Sequence, residues 1–565
     1  MVVSTWTAPQ RRVGAKLLPL PPLPIDIYLL VLDQFVYEPD LQSLSEYKAS
    51  LLSLTLVCRF FCAMVTPKLF NELVFDGDDD CEIASMSYGP HNAWFEAASS
   101  GDQSACALMK KVKKFTLSNW RDEDDPDEWK ESECGLLILR TFSRFSSITE
   151  LNILRTPIAD DFMIMVYQLP NLRSLNIKEC VFLPLADPLP QPNSEMLRHR
   201  PLRLRELQLG HVDNFKYYRK SMALFVTTSA LRILKTSDSQ LARQVMKKQM
   251  EIPLECLEIP LVPGDASILS DFLNRTPTIT ELWLESGGFE DDEPPPPVLL
   301  DIHPDALPNL KELHCPTPTL PQLLPKRPVT SVNLVESQDW MFAKCYDNVD
   351  LSPLTPTNNN SHLQELVVPY AMYSELPLYE FIPKVDTLVV CLPLVLSALP
   401  CRGILRALCT VHERKPIMRH LKLLPFGGIN VVWAFDLVFQ HQLIVDLLSP
   451  SFPSATAISL NEGVEWRCDP DTKKWKPVML APELYRSLLS AGEQPFWMMV
   501  NATDFEGLFI GLFKEEDLTA EILHRLGSCE ACASADVDNA ARLGSPDGSV
   551  GVEEFFLATF PLADE

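Results

Sequence analysis

Ile148-Thr149-Glu150-Leu151-Asn152-Ile153 and, one gap later, Leu172-Arg173-Ser174-Leu175-Asn176-Ile177 are two copies of one phrase, apolar-x-x-apolar-x-apolar. The phrase recurs as Val112-Phe115-Leu117, Leu204-Leu207-Leu209, Leu254-Leu257-Ile259, Ile279-Leu282-Leu284, Val329-Val332-Leu334, Leu363-Leu366-Val368, Val385-Leu388-Val390 and Met418-Leu421-Leu423. Two weaker copies, Leu231-Leu234 and Leu310-Leu313, lack a firm third member. With the second apolar residue as anchor, twelve copies run from Phe115 to Leu421 at a mean period of about 28 residues, with spacings from 19 to 36. A unit of that size cannot bury its apolar face alone, whereas stacked units share one continuous core, so the phrase predicts an irregular repeat solenoid.

Each repeat is expected to supply one strand and a helical or extended return. Ile158, Phe162, Val166 and Leu169 fall on one helical face, and Ile268, Leu269, Phe272 and Leu273 follow an N-cap candidate at Asp265. From Gly427 the phrase disappears. Trp466 to Trp475, around Asp469-Pro470-Asp471, reads as a hairpin and Ala481 to Leu489 as a short helix, which together suggest a terminal cap.

Composition bounds the function. The chain has 565 residues, 46% of them hydrophobic and 22% charged, which is normal for a folded protein. Its formal charge of −26 argues against a nucleic-acid binder, which needs a positive face. The balance is uneven: twelve Lys/Arg stand against three Asp/Glu between Arg198 and Lys248, and fourteen acids against three bases from Ala502 to Glu565. The bland reading of both is solvated surface; a phosphorylated or acidic ligand on Arg203 and Arg205 is the sharper one. No apolar run of about 18 residues is free of charges and breakers, and no secretory signal is visible, so no membrane contact is expected. The fifteen Cys are then expected to be thiols of a reducing compartment, cytoplasmic and/or nuclear, and the sequons at Asn274, Asn359 and Asn501 chance matches.

The repeated phrase resembles the leucine-rich repeat over roughly Lys111 to Phe426, although only Cys180 fills that family's Asn/Cys ladder position convincingly. The resemblance implies an α/β horseshoe whose strand residues between core positions face the concave side. It nominates Asn152, Lys178, Gln208, Trp283, Glu285, Asn333 and Val367 as substrate-binding, with Trp283 the best single anchor. A Trp packed beneath a neighbouring loop is the competing reading.

The N-terminus carries a second pattern. Leu23, Ile27, Leu30, Val31 and Phe35 share a helical stripe, Pro24 suits a first turn, and a second apolar helix over Leu51 to Phe61 is followed by Pro67-Lys68-Leu69-Phe70. Three short helices make a weak core, which a partner covering apolar surface would strengthen. Leu23-Pro24, Asp26-Ile27 and Val57-Cys58-Arg59 with Phe61 closely resemble the F-box, over Leu20 to Leu73. Asp26 stands where Glu is commoner, Phe70 where Trp is commoner, and the first loop, Val36 to Ser50, is enlarged. The alternative is an ordinary helical cap on the solenoid.

An F-box before leucine-rich repeats implies a small all-α module that docks a Skp-type adaptor, and through it a cullin–RING ligase, while the solenoid holds a protein substrate. The resemblance places Leu23, Pro24, Ile27, Val31, Leu54, Val57, Leu69 and Phe70 on the adaptor. The chain would then be the non-catalytic substrate receptor of an SCF-type (Skp–cullin–F-box) E3 ubiquitin ligase, acting by effective concentration. The alternative is a leucine-rich-repeat scaffold with an F-box-like cap that works outside ubiquitination. The expected layout is a disordered tail over 1–16, the F-box over 17–75, a linker with an acidic loop and a helix over 76–110, repeats over 111–426, a cap over 427–500 and an acidic, partly disordered tail over 501–565.

Catalytic chemistry is not legible. There is no Gly-rich phosphate loop, GxSxG elbow or two-His zinc helix, since Pro416 stands where the second His after His412-Glu413 would be. Cys529 and Cys532 form an isolated pair, read as two tail thiols rather than a zinc site. Asp76 to Asp80 begins like a calcium loop, but Cys81 replaces the turn Gly and Ser87 the bidentate Glu. Pro19 to Pro24 has PxxP spacing but leads straight into the first helix. No enzyme, metal or cofactor is expected.

Overall fold

The computed structural model describes residues 10–13, 16–19, 29–30, 32, 35, 44–57, 59–76, 93–118, 141–158, 162–182, 204–212, 215–217, 219, 222–223, 231–247, 253–286, 298–335, 350–355, 363–392, 401–425, 437–460 and 464–479. They fall into two compact units, Met1–Val368 with Leu378–Val385, and Pro369–Pro377 with Asp386–Glu565.

In the first unit an antiparallel pair, β1 (Gln10–Val13) and β2 (Lys16–Pro19), precedes everything else. The parallel sheet then runs through β3 (Glu72–Asp76), β4 (Lys114–Ser118), β5 (Glu150–Leu154), β7 (Ser174–Lys178), β9 (Glu206–Gly210), β10 (Ile233–Thr236), β11 (Cys256–Leu261), β12 (Glu281–Ser286), β13 (Glu312–His314), β14 (Ser331–Asn333) and β15 (Glu365–Pro369), each beside the next. Two-residue strands β6 (Pro157–Ile158) and β8 (Val181–Phe182) pair separately.

The register is the repeat made visible. Phe115, Leu151, Leu175, Leu207, Leu234, Leu257, Leu282, Leu313, Val332 and Leu366 stand opposite one another, rung by rung. All are at most 2% exposed, and each such side chain gains roughly 1.5–3 kcal/mol by leaving water. The two weak copies are in register as well; their third core position is filled by Thr236 (4% exposed), whose Oγ1 accepts from Asp238 N at 3.1 Å, and Cys315 (0%), both small enough to fit.

Three successive strands end in the same turn. Arg155, Glu179 and His211, each directly after its strand, take positive φ of 48°, 54° and 49°. Their backbone N–H groups donate across to Lys178 O (3.0 Å), Gly210 O (2.8 Å) and Ser237 Oγ (3.1 Å), which offsets the cost of the left-handed conformation. Beside the second of these turns the buried Cys180 Sγ donates to Lys178 O (3.1 Å) and Ile153 O (3.4 Å), so it does the backbone-bridging work its sequence position implies.

The returns are helical where a cap and an apolar face coincide. Asp238 caps the helix Ser239–Met246 through Leu241 N (2.7 Å), which buries Leu241, Ala242, Val245 and Met246. Ala266–Arg275 buries Leu269, Phe272 and Leu273, while Ile268 is half-buried. Asp265 stands at its N-cap position without capping it: Arg243 Nε lies 2.5 Å from its carboxylate, so the acid is drawn towards the neighbouring repeat. The helix Phe162–Gln168 buries Phe162 and Val166, but Ile158 lies in β6.

The helices Leu44–Thr55 and Arg59–Leu69 enclose Leu32, Leu51, Phe61 and Val65. Lys48 Nζ donates to Glu72 O (2.8 Å), which ties this module to the free side of β3. Several expected boundaries move. Residues 10–13 form a strand where a tail was expected, and β3 is a full rung inside the span assigned to the F-box. The expected linker supplies segment 93–99 and helix Gln103–Met109, whose Phe95, Ala98 and Met109 are buried. Strand 72–76 carries a full copy of the phrase, Phe70-Leu73-Phe75, with Leu73 in register with Phe115, so the repeat begins one rung before Lys111, where the F-box resemblance also claims Phe70.

In the second unit β16 (Thr387–Leu392), β17 (His420–Pro425) and β18 (Ala457–Ser459) are parallel, with Leu388, Leu421 and Ile458 in register. The repeat therefore continues past Phe426. β19 (Val464–Cys468) and β20 (Trp475–Met479) close it as the expected antiparallel hairpin, with Trp466 buried and its Nε1 donating to Gln440 Oε1 (2.8 Å). The helix expected at Ala481–Leu489, the acidic tail and Cys529/Cys532 lie outside the described residues.

Candidate functional site

Two surfaces of the first unit present side chains that the fold does not consume. The first is the helical module. Leu30 is 58% exposed, Leu52 52%, Leu56 82% and Val57 64%, with Leu29 and Met64 also exposed. Six large apolar side chains facing water on one small module are more than a monomer scatters at random. Of the residues the F-box resemblance nominates, Val57 belongs to this exposed set. Leu54 and Leu69 pack against the module's own core, and Phe70 lies 6.1 Å from Trp94, tilted against the segment that follows β3. Leu23, Pro24, Ile27 and Val31 lie outside the described residues. Leu52 and Leu56 were missed because the family pattern, rather than the helix face, selected the candidates.

The second surface is the solvent-facing side of the sheet. Asn152, Gln208, Trp283, Asn333 and Val367 share one row, together with Thr116, Asn176, Lys235, Glu258 and His314. Lys178 and Glu285 sit two residues further along their strands. The structure brings Lys178, Gln208 and Glu285 together: with His211, Lys235 and Glu258 they line a pocket of about 260 Å3.

Trp283 is half-buried, and its ring stacks on His314 at 4.8 Å and 15° between planes, with Lys235 Nζ 5.6 Å from its centre. Among the described residues it packs within the row. The arrangement is an aromatic platform, worth about 1 kcal/mol beyond area for the ring pair. Lys235 is held to Glu258 at 3.1 Å; burial alone would lower its pKa, but the hydrogen bond and charge of Glu258 outweigh burial and raise it. Burial and the neighbouring Glu258 carboxylate push Glu285 above the usual carboxylate range, with His211 opposing.

A second row, one residue before the anchors, carries Glu72, Lys114, Glu150, Ser174, Glu206, Ile233, Cys256, Glu281, Glu312, Ser331 and Glu365. Lys114 Nζ sits 3.2 Å from Glu72 and 3.3 Å from Glu150, and Glu206 accepts from Ser174 and Gln208. At the other end, burial first and then Glu281 and Glu365 raise the Glu312 pKa, with Lys311 opposing.

Four of the seven described cations of the basic stretch are paired. Arg219 pairs with Asp238 (2.7 Å), Arg232 with Glu255 (2.9 Å), Lys235 with Glu258 and Arg243 with Asp265. Arg205 is exposed at the start of its strand, and Arg203 lies outside the described residues. Among the described residues, no three His, Cys, Asp or Glu are grouped to hold a metal ion, and no helix is long and apolar enough to cross a membrane.

Parallel strands in register, one per repeat of the leucine-rich phrase, define the class: a repeat solenoid with a sheet face open to solvent. No family model matches the chain, and no curated protein matches it. Among solved structures it is similar to an internalin from Listeria monocytogenes, at 9% identity over 59% of this chain and 88% of that one, with a TM-score of 0.24.

Proposed function

We propose that the chain is a non-catalytic substrate receptor of an SCF-type E3 ubiquitin ligase. The helical module docks a Skp-type adaptor and thereby a cullin–RING ligase, the sheet face holds a protein substrate, and the complex works in the cytoplasm and/or nucleus. The observation that carries the reading is the exposed apolar set Leu52, Leu56 and Val57 on a module whose described core, Leu32, Leu51, Phe61 and Val65, does not include them. Side chains that contribute nothing to folding and cost solubility are understandable as a docking surface.

The test is co-purification of the full chain with a Skp-type adaptor and a cullin. The unsubstituted chain is expected to retain both, and Leu56→Asp with Val57→Asp to lose both while its melting temperature stays within about 2 °C, because both positions are exposed. Failure of the unsubstituted chain to retain adaptor, or retention by the double variant, would sink the proposal. Adaptor without cullin would move the chain to the scaffold reading.

A further inference from the structure

The same row of the sheet face is treated differently at its two ends. At β3–β5 the carboxylates of Glu72 and Glu150 share an internal cation, Lys114. At β12–β15 Glu281 and Glu312 are direct partners in register, Glu365 follows two rungs on, and Glu285 lies four residues along the strand from Glu281, on the other side of Trp283. None of these four carboxylates has an ion-pair partner among the described residues; Lys311 opposes the charge of Glu312, Lys235 that of Glu281 and His211 that of Glu285, each from beyond pairing distance. Like charges directly opposite on neighbouring strands destabilise a sheet. Trp283 and His314 form an aromatic stack on the adjoining row, with the cation of Lys235 already over the Trp283 ring.

We propose that the sheet face over β12–β15 binds a lysine- or arginine-bearing segment of a partner protein, its cations on Glu281, Glu312, Glu365 and Glu285 and its side-chain stems on the Trp283–His314 stack. The spacing suits an extended segment. Rungs lie about 4.8 Å apart, so Glu281 to Glu365 spans roughly 14 Å, and same-side residues of an extended chain recur every 6.8 Å or so, which sets cations two to four residues apart on the acids. The partner's cations take the place that Lys114 fills at the other end.

This inference rests on reading the sheet face as the substrate-holding surface, and it is independent of adaptor docking. The test uses the full chain without adaptor and a fluorescein-labelled peptide of alternating arginine and serine, roughly ten residues long, followed by anisotropy at about 0.15 M salt. A glutamate–serine peptide of the same length is the counter-probe. The basic peptide is expected to bind saturably and the acidic one not at all. Glu281→Gln with Glu312→Gln and Glu365→Gln should weaken binding about tenfold or more, and Trp283→Ala should weaken it further, whereas Glu72→Gln with Glu150→Gln should change it less than about twofold. Thermal melts of each variant separate unfolding from lost contacts. Absence of saturable binding, or equal weakening by the control pair, overturns the proposal; the latter would show attraction to overall negative charge only. Peptide binding without adaptor retention, or the reverse, tells which of the two readings has failed.

Discussion

Arg327 shows how much a single residue does that no sequence pattern announces. It is 2% exposed and has no ion-pair partner among the described residues; its guanidinium instead donates to the carbonyls of His303, Ala306, Gln322, Leu323 and Pro325 at 2.9–3.2 Å. Those carbonyls belong to irregular returns around Leu307 and Lys326, both at positive φ, where no regular hydrogen-bond ladder exists to satisfy them. Arg327→Ala strands four acceptors, since His303 O keeps the Ala306 N–H at 2.9 Å, and is expected to cost about 3 kcal/mol in denaturant unfolding, while Arg327→Lys recovers only part, because an ammonium cannot fork to so many oxygens. An Ala variant as stable as the parent would show that water replaces the guanidinium. Cys180, by contrast, was legible, since the repeat phrase fixes its position. Burial pushes its thiol up to about 12, so it stays protonated at neutral pH. Iodoacetamide followed by peptide mass spectrometry is expected to label the exposed Cys62 well before Cys180 or Cys256, the latter also pushed up to about 12. Early labelling of Cys180 would mean that its turn opens readily.

At the scale of elements, the strands were readable and the returns between them were not. A strand's inward side chains meet the same neighbours in every repeat, so the phrase repeats down to register. The returns differ in length from 19 to 36 residues between anchors, and each solves its packing separately. Asp265 illustrates the difference: local sequence makes it a helix cap, but Arg243 of the preceding return competes for the carboxylate and wins. The same limit applied to the candidate site. Positions on the open face could be named from alternation alone, whereas the acidic row one residue before the anchors became visible only when adjacent rungs were aligned. Glu312 is the element-scale test of that row. Its folded pKa is raised, by burial first and then by Glu281 and Glu365, so at pH above the folded value it is ionised in both states and the folded state bears the cost. That cost disappears as the pH falls below the unfolded value, where both states are protonated. Glu312→Gln is therefore expected to raise the melting temperature slightly at pH 7 and to leave it unchanged near pH 3. A variant less stable than the parent at pH 7 would show that the carboxylate is already compensated.

For the whole molecule, the helical module has two separable jobs, and the way it joins the sheet decides how they can be tested. A solenoid needs its ends covered, because a terminal rung has no neighbour to share its core. Here the sheet begins at β3, whose Phe75 stacks on Phe115 at 5.3 Å and against Phe95 at 5.1 Å, and the module reaches it through Lys48 to Glu72 O and through Phe70 to Trp94. Deleting residues 17–75, the span that the family resemblance outlines, would remove β3 as well as the module. Lost partners would then report damage to the stack as readily as loss of docking. Removing residues 1–71 instead leaves β3 in place but uncovers it. That truncation is expected to lower the melting temperature by several degrees and to increase binding of an apolar dye such as ANS, since Phe75, Phe95 and Trp94 become accessible. Leu56→Asp with Val57→Asp should do neither. If the truncated chain melts like the parent and binds no more dye, the module is an appendage and the first rung is stable alone. If the double variant also destabilises the chain, Leu56 and Val57 belong to the cap rather than to a docking surface, and the adaptor reading loses the observation on which it stands.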